Sequence, residues 1–164
     1  MDKPKLTHLD EAGAARMVDV GEKPTTRRSA IAQAFCRMQD DTADTIRAGS
    51  TRKGDVLQIA RIAAIGAAKR TDELIPLCHS LPLDSVEVLF EWPEKALLRI
   101  QVTASCTGRT GVEMESLVAA SIAAMTVYDM CKAIDRSMRV ECVELLEKTG
   151  GVHGDFKKSD AKND

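Results

Sequence analysis

The chain has 164 residues, of which 44% are hydrophobic and 29% charged, with a formal net charge of -2. That length and apolar content suit one domain with a proper core. Near-neutral charge and only 3% aromatic residues give no electrostatic case for nucleic acid and no base-stacking platform. Apolar stretches such as 59–68 are short and interrupted by Arg61, far below the ~20 residues of a membrane span. The start, Met-Asp-Lys-Pro-Lys, lacks the apolar centre of a signal peptide. The expectation is a cytoplasmic protein with no membrane or nucleic-acid partner. The five cysteines are scattered with no C-x-x-C, which disfavours a disulfide frame or zinc knuckle.

Residues 1–25 read as a polar N-terminal arm, in which only Met17-Val-Asp-Val20 is apolar enough to dock. From Arg27 to Met38 the pattern fits either helix or strand; Ala30, Ala32, Ala34, Cys36 and Met38 carry the strand alternation. Asp40 and Asp41 open a short helix that stops at Gly49. After a polar loop, Ser50 to Gly54, Asp55 takes an N-cap position with Gln58 at N3. The following helix has a face of mostly small residues, Val56, Ile59, Ala60, Ala63, Ala64 and Ala67. Residues 74–82 hold two prolines and read as an irregular apolar loop.

Val86, Val88 and Phe90 alternate in a half-buried strand, Trp92-Pro-Glu-Lys95 is the expected turn, and Leu98, Ile100, Val102, Ala104 and Cys106 return as the second strand of a hairpin. Cys106 reads as plain core. A long helix is expected from Val112 to about Ile134, with Thr110 and Glu113 as its capping box. Leu117, Val118, Ile122 and Met125 are its expected apolar stripe. Met138, Val140 and Cys142 alternate in a last strand, followed by a glycine-rich, charged tail. With a strand at 27–38 the order is β-α-β-β-α-β: an α+β, ferredoxin-like chain, two helices on one face of an antiparallel sheet, plus the short extra helix and the arm. The expected division is an arm at 1–25, one catalytic domain at 26–157 and a disordered tail at 158–164.

Several groups can carry chemistry. Cys78-His79 reads as a metal pair, a nucleophile with its base, or a satisfied core histidine; no partner spacing supports metal. Glu113 has the cap as its plain explanation, whereas Glu115 has none. Asp129 and Lys132 are three apart and face the same way. They form either a surface ion pair or, if their apolar neighbours bury them, an acid–base couple with shifted pKa values. Cations beside glycine at Arg52-Lys53-Gly54, Gly108-Arg109 and Lys148-Thr-Gly-Gly151 together suggest a polyanionic ligand.

Met17-Val-Asp-Val20, Lys53-Gly-Asp55, Leu74-Ile-Pro-Leu-Cys-His79, Thr110-Gly-Val-Glu-Met-Glu115, Tyr128-Asp-Met-Cys-Lys132 and Gly154-Asp-Phe156 resemble the cyclic pyranopterin monophosphate synthase family, the molybdenum cofactor biosynthesis protein C family. The resemblance runs from about Leu6 to Phe156 and favours the strand at 27–38. It implies a pterin-forming lyase that converts (8S)-3',8-cyclo-7,8-dihydroguanosine 5'-triphosphate to cyclic pyranopterin monophosphate and pyrophosphate. It also implies a homohexamer built as a trimer of dimers. Position by position it implies Asp129, Lys132 and Lys53 as catalytic, and Leu77, Cys78, His79, Glu113, Met114, Glu115 and Lys148 as substrate contacts. No tightly bound cofactor is expected; Mg2+ accompanies the triphosphate at most. Two features depart from the family pattern. Ser80 stands where proline commonly follows the histidine, and Gly-Gly-Val-His-Gly stands where a tail lysine is usual.

Glu115 and Asp129 are fourteen residues apart, ~21 Å along a helix at ~1.5 Å per residue. One small substrate does not span that within one chain, so the expected site is shared across a two-fold dimer interface. The competing readings are a non-catalytic ligand-binding domain on the same scaffold and a zinc enzyme using Cys78 and His79.

Overall fold

The structure, a computed structural model, describes residues 7–10, 12–49, 54–151 and 154–159. The chain forms β1 (Thr26–Arg37), α1 (Asp40–Arg47), α2 (Val56–Ala68), α3 (Thr71–Leu74), β2 (Leu83–Glu94), β3 (Leu97–Gly108), α4 (Glu113–Cys131), β4 (Arg139–Thr149) and β5 (Phe156–Lys157). The strands make one open sheet in the order β2-β3-β1-β4-β5, and each neighbouring pair is antiparallel. The fold is mixed α/β.

The ambiguous stretch at 27–38 is the central strand. Its even positions Ala30, Ala32, Ala34 and Cys36 are almost fully buried, and both its edges are paired, to β3 and to β4. Period-two burial between two partners is a strand's environment, and it overrides the helix reading. β3 follows its expected pattern in full: Leu98, Ile100, Val102, Ala104 and Cys106 are all buried.

The main core joins Ala34 and Cys36 of β1 and Ile100 and Val102 of β3 to alanines of α2 and α4. Both long helices therefore cover the same face of the sheet. The α2 face is small as expected (Ala60, Ala64, Ala67 and Ala68 are buried), and Asp55 caps it, accepting from the N–H groups of Leu57 and Gln58 at 3.0 and 3.1 Å.

The long helix differs from its expectation in three respects. It is shorter, ending at Cys131 with Lys132 as C-cap. Its first flanking residue is Val112, with no side-chain cap, so the Thr110–Glu113 capping box does not form. And its buried face is Val118, Ala119, Ala120, Ala123, Ala124, Val127 and Cys131, while Leu117 and Ile122 are half-buried and Met125 is exposed. Small side chains let α4 approach α2 and the sheet closely, and this turns the bulkier residues outward.

The hairpin turn is tighter than expected: β2 runs through Trp92 and Pro93 to Glu94, with a register shift between Glu91 and Glu94 that accommodates the proline. In β4 the expected inward set fails after Met138, since Val140 and Cys142 are exposed. Cys142 has φ 53, and the pairing with β1 shifts register between Gln33 and Phe35, a bulge that re-aims the strand. α3 and β5 have no counterpart in the sequence reading. The short α1 stops as expected, with Gly49 in the left-handed region at φ 63.

Asp135 explains how α1 starts without a capping side chain of its own. Its Oδ2 accepts from the Gln39 N–H at 2.8 Å and the Thr42 hydroxyl at 3.3 Å. Its Oδ1 accepts from the Ser137 N–H at 2.9 Å and hydroxyl at 2.6 Å. Burial acts to raise its pKa, but these hydrogen bonds outweigh burial and hold the carboxyl below its ordinary range. Asp135→Ala is expected to destabilise the chain by about 3 kcal/mol, since it orphans donors that served a buried charge. A depressed folded-state pKa contributes stability above the unfolded value that is lost as pH falls. The gap between the urea midpoints of the wild type and the variant should therefore narrow as pH falls below about 3.9; a gap that does not change with pH contradicts this role.

Candidate active site

The N-terminal end of α4, the ends of β1 and β4 and the 72–81 loop meet at one edge of the molecule. Between the strand ends and the helix start lies a cavity of about 140 Å³ whose lining includes Lys23, Arg28, Arg109, Lys148 and Glu113. Four cations against one carboxylate make it a receptor for anions. Arg28 is buried, only 4% exposed, and is held by the carbonyls of Gly108 and Arg109 at 3.4 and 3.5 Å. Lys148 pairs with Glu113 at 3.0 Å. This ion pair replaces the capping-box role expected for Glu113: β4 brings a cation to the helix start, and the carboxylate turns to it.

Two glycines make that geometry possible. A Cβ on Gly111 would sit 1.9 Å from Glu113 Oε2, so the carboxylate folds back over bare backbone. Gly150, at φ +85, passes so close to β1 that a Cβ would lie 1.9 Å from the Arg27 carbonyl oxygen.

Two residues further along α4, Glu115 is only 4% exposed. Burial pushes its pKa up to about 7, the hydrogen bond from its own N–H opposes this, and the negative charges of Glu113 and Asp72 add to the rise. Glu115 in turn acts on Cys78 and Cys106. Both thiols are raised chiefly by burial and further by its charge, so neither has the electropositive setting that makes a thiolate nucleophile. Cys106 is core, as read from its strand. His79 is half-buried, its Nε2 2.8 Å from the Val18 carbonyl oxygen; the arm docks here through the expected Met17–Val20 segment, although Met17 itself is 55% exposed. Leu77 and Met114 are half-buried.

Asp129 and Lys132 form an ion pair at the far end of α4. Their side chains are 60% and 52% exposed, so within one chain the pair stands at the surface. Lys53 lies outside the described residues, as do Val152 and His153 of the departing tail motif. The structure thus brings Glu113, Glu115, Cys78 and Lys148 to one end of α4 and leaves Asp129 and Lys132 at the other. Among the described residues no group of three or more His, Cys, Asp or Glu is placed to hold a metal ion, and no helix is long and apolar enough to cross a membrane.

Lys23, Arg28 and Arg109 are cavity residues that the site assignment did not include. Arg28 had a readable signal: it belongs to the even, inward-facing set of β1, where a cation is out of place unless it serves a pocket.

A cationic cavity at the start of α4, with the buried Glu115 carboxyl two residues beyond Glu113, is suited to a small anionic metabolite. Residues 17–151 match the MoaC family, and the chain belongs to that family. It is 61% identical over 153 residues to the cyclic pyranopterin monophosphate synthase of Herpetosiphon aurantiacus, covering 93% of both chains. To the cyclic pyranopterin monophosphate synthase of Halalkalibacterium halodurans it is 50% identical over 160 residues, covering 96% of this chain and 97% of the relative.

Proposed function

We propose that the protein is a cyclic pyranopterin monophosphate synthase of molybdenum cofactor biosynthesis, a lyase on a ferredoxin-like scaffold. Its substrate is (8S)-3',8-cyclo-7,8-dihydroguanosine 5'-triphosphate, and pyrophosphate leaves. The observation that carries the reading is near-full-length identity to two synthases, and the cavity gives it a physical basis. Arg28, Lys23, Arg109 and Lys148 supply fixed positive charge where a triphosphate and a departing pyrophosphate need it. Buried Arg28 is already desolvated, so its attraction for phosphate is little screened. By the family resemblance, Lys53 is proposed as a further catalytic cation.

The reaction requires protons to move as the purine ring opens and the cyclic phosphate closes. Glu115, with a pKa of about 7, can hold or release one at working pH. Asp129 and Lys132 form the second acid–base couple, with the aspartate orienting the ammonium. Leu77, Cys78, His79 and Met114 complete the substrate's surroundings. Mg2+ enters, if at all, with the triphosphate.

Because Glu115 and Asp129 occupy opposite ends of one helix, the site is proposed to combine the start of α4 from one copy with the end of α4 from another. Coverage by that second copy would desolvate the Asp129–Lys132 pair. The outward Met125 of α4 and Ile59 and Ile62 of α2 are exposed apolar groups suited to such an interface. A hexamer arranged as a trimer of dimers needs a second interface as well, and the sheet face opposite the helices, with Ile31 and Phe35 half-exposed, is available for it.

The test is turnover. Purified protein given the cyclised GTP intermediate should release pyrophosphate and a pterin, and Lys132→Ala should lower kcat by about 10²–10⁴-fold, the usual contribution of a positioned acid or base. Tight binding with no product, while Lys53, Asp129 and Lys132 are intact, would instead identify a non-catalytic binding domain.

A further inference from the structure

The N-terminal arm makes one contact that neither the cationic cavity nor the acid–base groups account for. His79 Nε2 lies 2.8 Å from the main-chain oxygen of Val18. A carbonyl oxygen only accepts, so the ring nitrogen facing it must carry hydrogen, and in neutral imidazole the lone pair then resides on Nδ1. The chain beyond that oxygen is itself held. Just after it, Asp19 Oδ1 accepts from the Gly21 N–H at 2.8 Å, a side-chain turn that orders the Asp19–Val20 peptide and so anchors the chain that leads out of the Val18 carbonyl. The Lys23 N–H donates to the Val20 carbonyl at 3.1 Å, and Lys23 lines the cationic cavity. The histidine's loop is anchored on its other side, where the Ser80 hydroxyl donates to Asp72.

Val18 to Lys23 is therefore a short strap from the histidine to the cavity, half-buried at Val18, Val20 and Lys23. We infer that the Val18 carbonyl is a positioning group that locks His79 as the Nε2–H tautomer, leaving Nδ1 as the one ring atom able to accept a hydrogen bond from substrate. The other tautomer would present a donor at Nδ1 and set the bare Nε2 lone pair against the Val18 oxygen, breaking the strap contact. What Nδ1 does in turnover rests on the proposed function; the tautomer does not.

Ring-nitrogen NMR of the full-length, substrate-free protein labelled with 15N-histidine tests this, His79 being assigned by the signals missing from His79→Gln. The expected spectrum of neutral His79 shows hydrogen on Nε2 and a bare Nδ1. In Asp19→Ala, which releases the turn that anchors the chain just after the Val18 carbonyl, the two nitrogen shifts should move toward each other and kcat should fall several-fold. Asp19→Asn retains an oxygen acceptor for Gly21 and should restore both. Hydrogen on Nδ1 in the wild type, or two averaged nitrogens there, overturns the proposal whether or not Asp19→Ala folds. An Asp19→Ala spectrum identical to the wild type overturns it as well. The spectra are read without substrate, so this outcome is separate from whether the chain turns substrate over.

Discussion

Oligomers assembled from Glu115→Ala and Asp129→Ala chains together are expected to regain activity that neither variant has alone. Each substitution by itself should cost about 10²–10⁴-fold in kcat, the scale of a lost acid or base. In a shared two-fold site, one mixed dimer holds one doubly mutated and one fully intact site. Random pairing makes half of the dimers mixed, so recovery should approach roughly a quarter of wild-type activity. The geometry behind this is simple: Glu115 is buried at the start of α4, among the 72–78 loop and β3, and the Asp129–Lys132 pair stands exposed at the other end. Inactivity of verified mixed oligomers would sink the shared site while leaving the family membership untouched.

Glu115→Gln is expected to be inactive and yet more stable than the wild type at pH 8. The Glu115 carboxyl is raised by burial to about 7, against an unfolded value near 4.3. Between those values the native state binds the proton and the unfolded state does not, so the stability of the wild type falls as pH rises. The cost is absent below about pH 4 and fully developed above about pH 7, where it amounts to roughly 4 kcal/mol at ~1.4 kcal/mol per unit. Glutamine keeps the shape and removes the ionisation, so its urea midpoint should exceed that of the wild type at pH 8 and meet it near pH 4. This slope is opposite to that of Asp135, whose carboxyl is depressed, and the two variants separate the contributions. Equal pH dependence in wild type and Glu115→Gln would show that Glu115 ionises as freely folded as unfolded.

Where side-chain pattern and local hydrogen bonding coincide, the sequence was legible. The alternation of β3 and the Asp55 cap of α2 both appear as read, because a strand facing one core and a helix's first N–H groups depend on neighbours in sequence. The β1 segment could be resolved only with the family resemblance, since alanine-rich alternation suits two periods at once. The α4 stripe was misread for a related reason: hydrophobicity favoured Leu117, Ile122 and Met125, whereas close packing against α2 selected alanines.

The amino-acid sequence by itself determined the family and the order of the main elements, β1 to β4 with α1, α2 and α4, since these rest on motifs and on patterns of a few residues. Three further features depended on contacts across long stretches of chain. Glu113 is an ion-pair partner of Lys148 rather than a cap. Arg28 is a buried cavity cation, and Glu115 is a group whose ionisation the fold displaces by burial. Burial and charge pairing are set by what arrives from elsewhere in the chain, and only the tertiary structure, with β4 beside β1 and the 72–81 loop against α4, decided what arrives at each end of that helix.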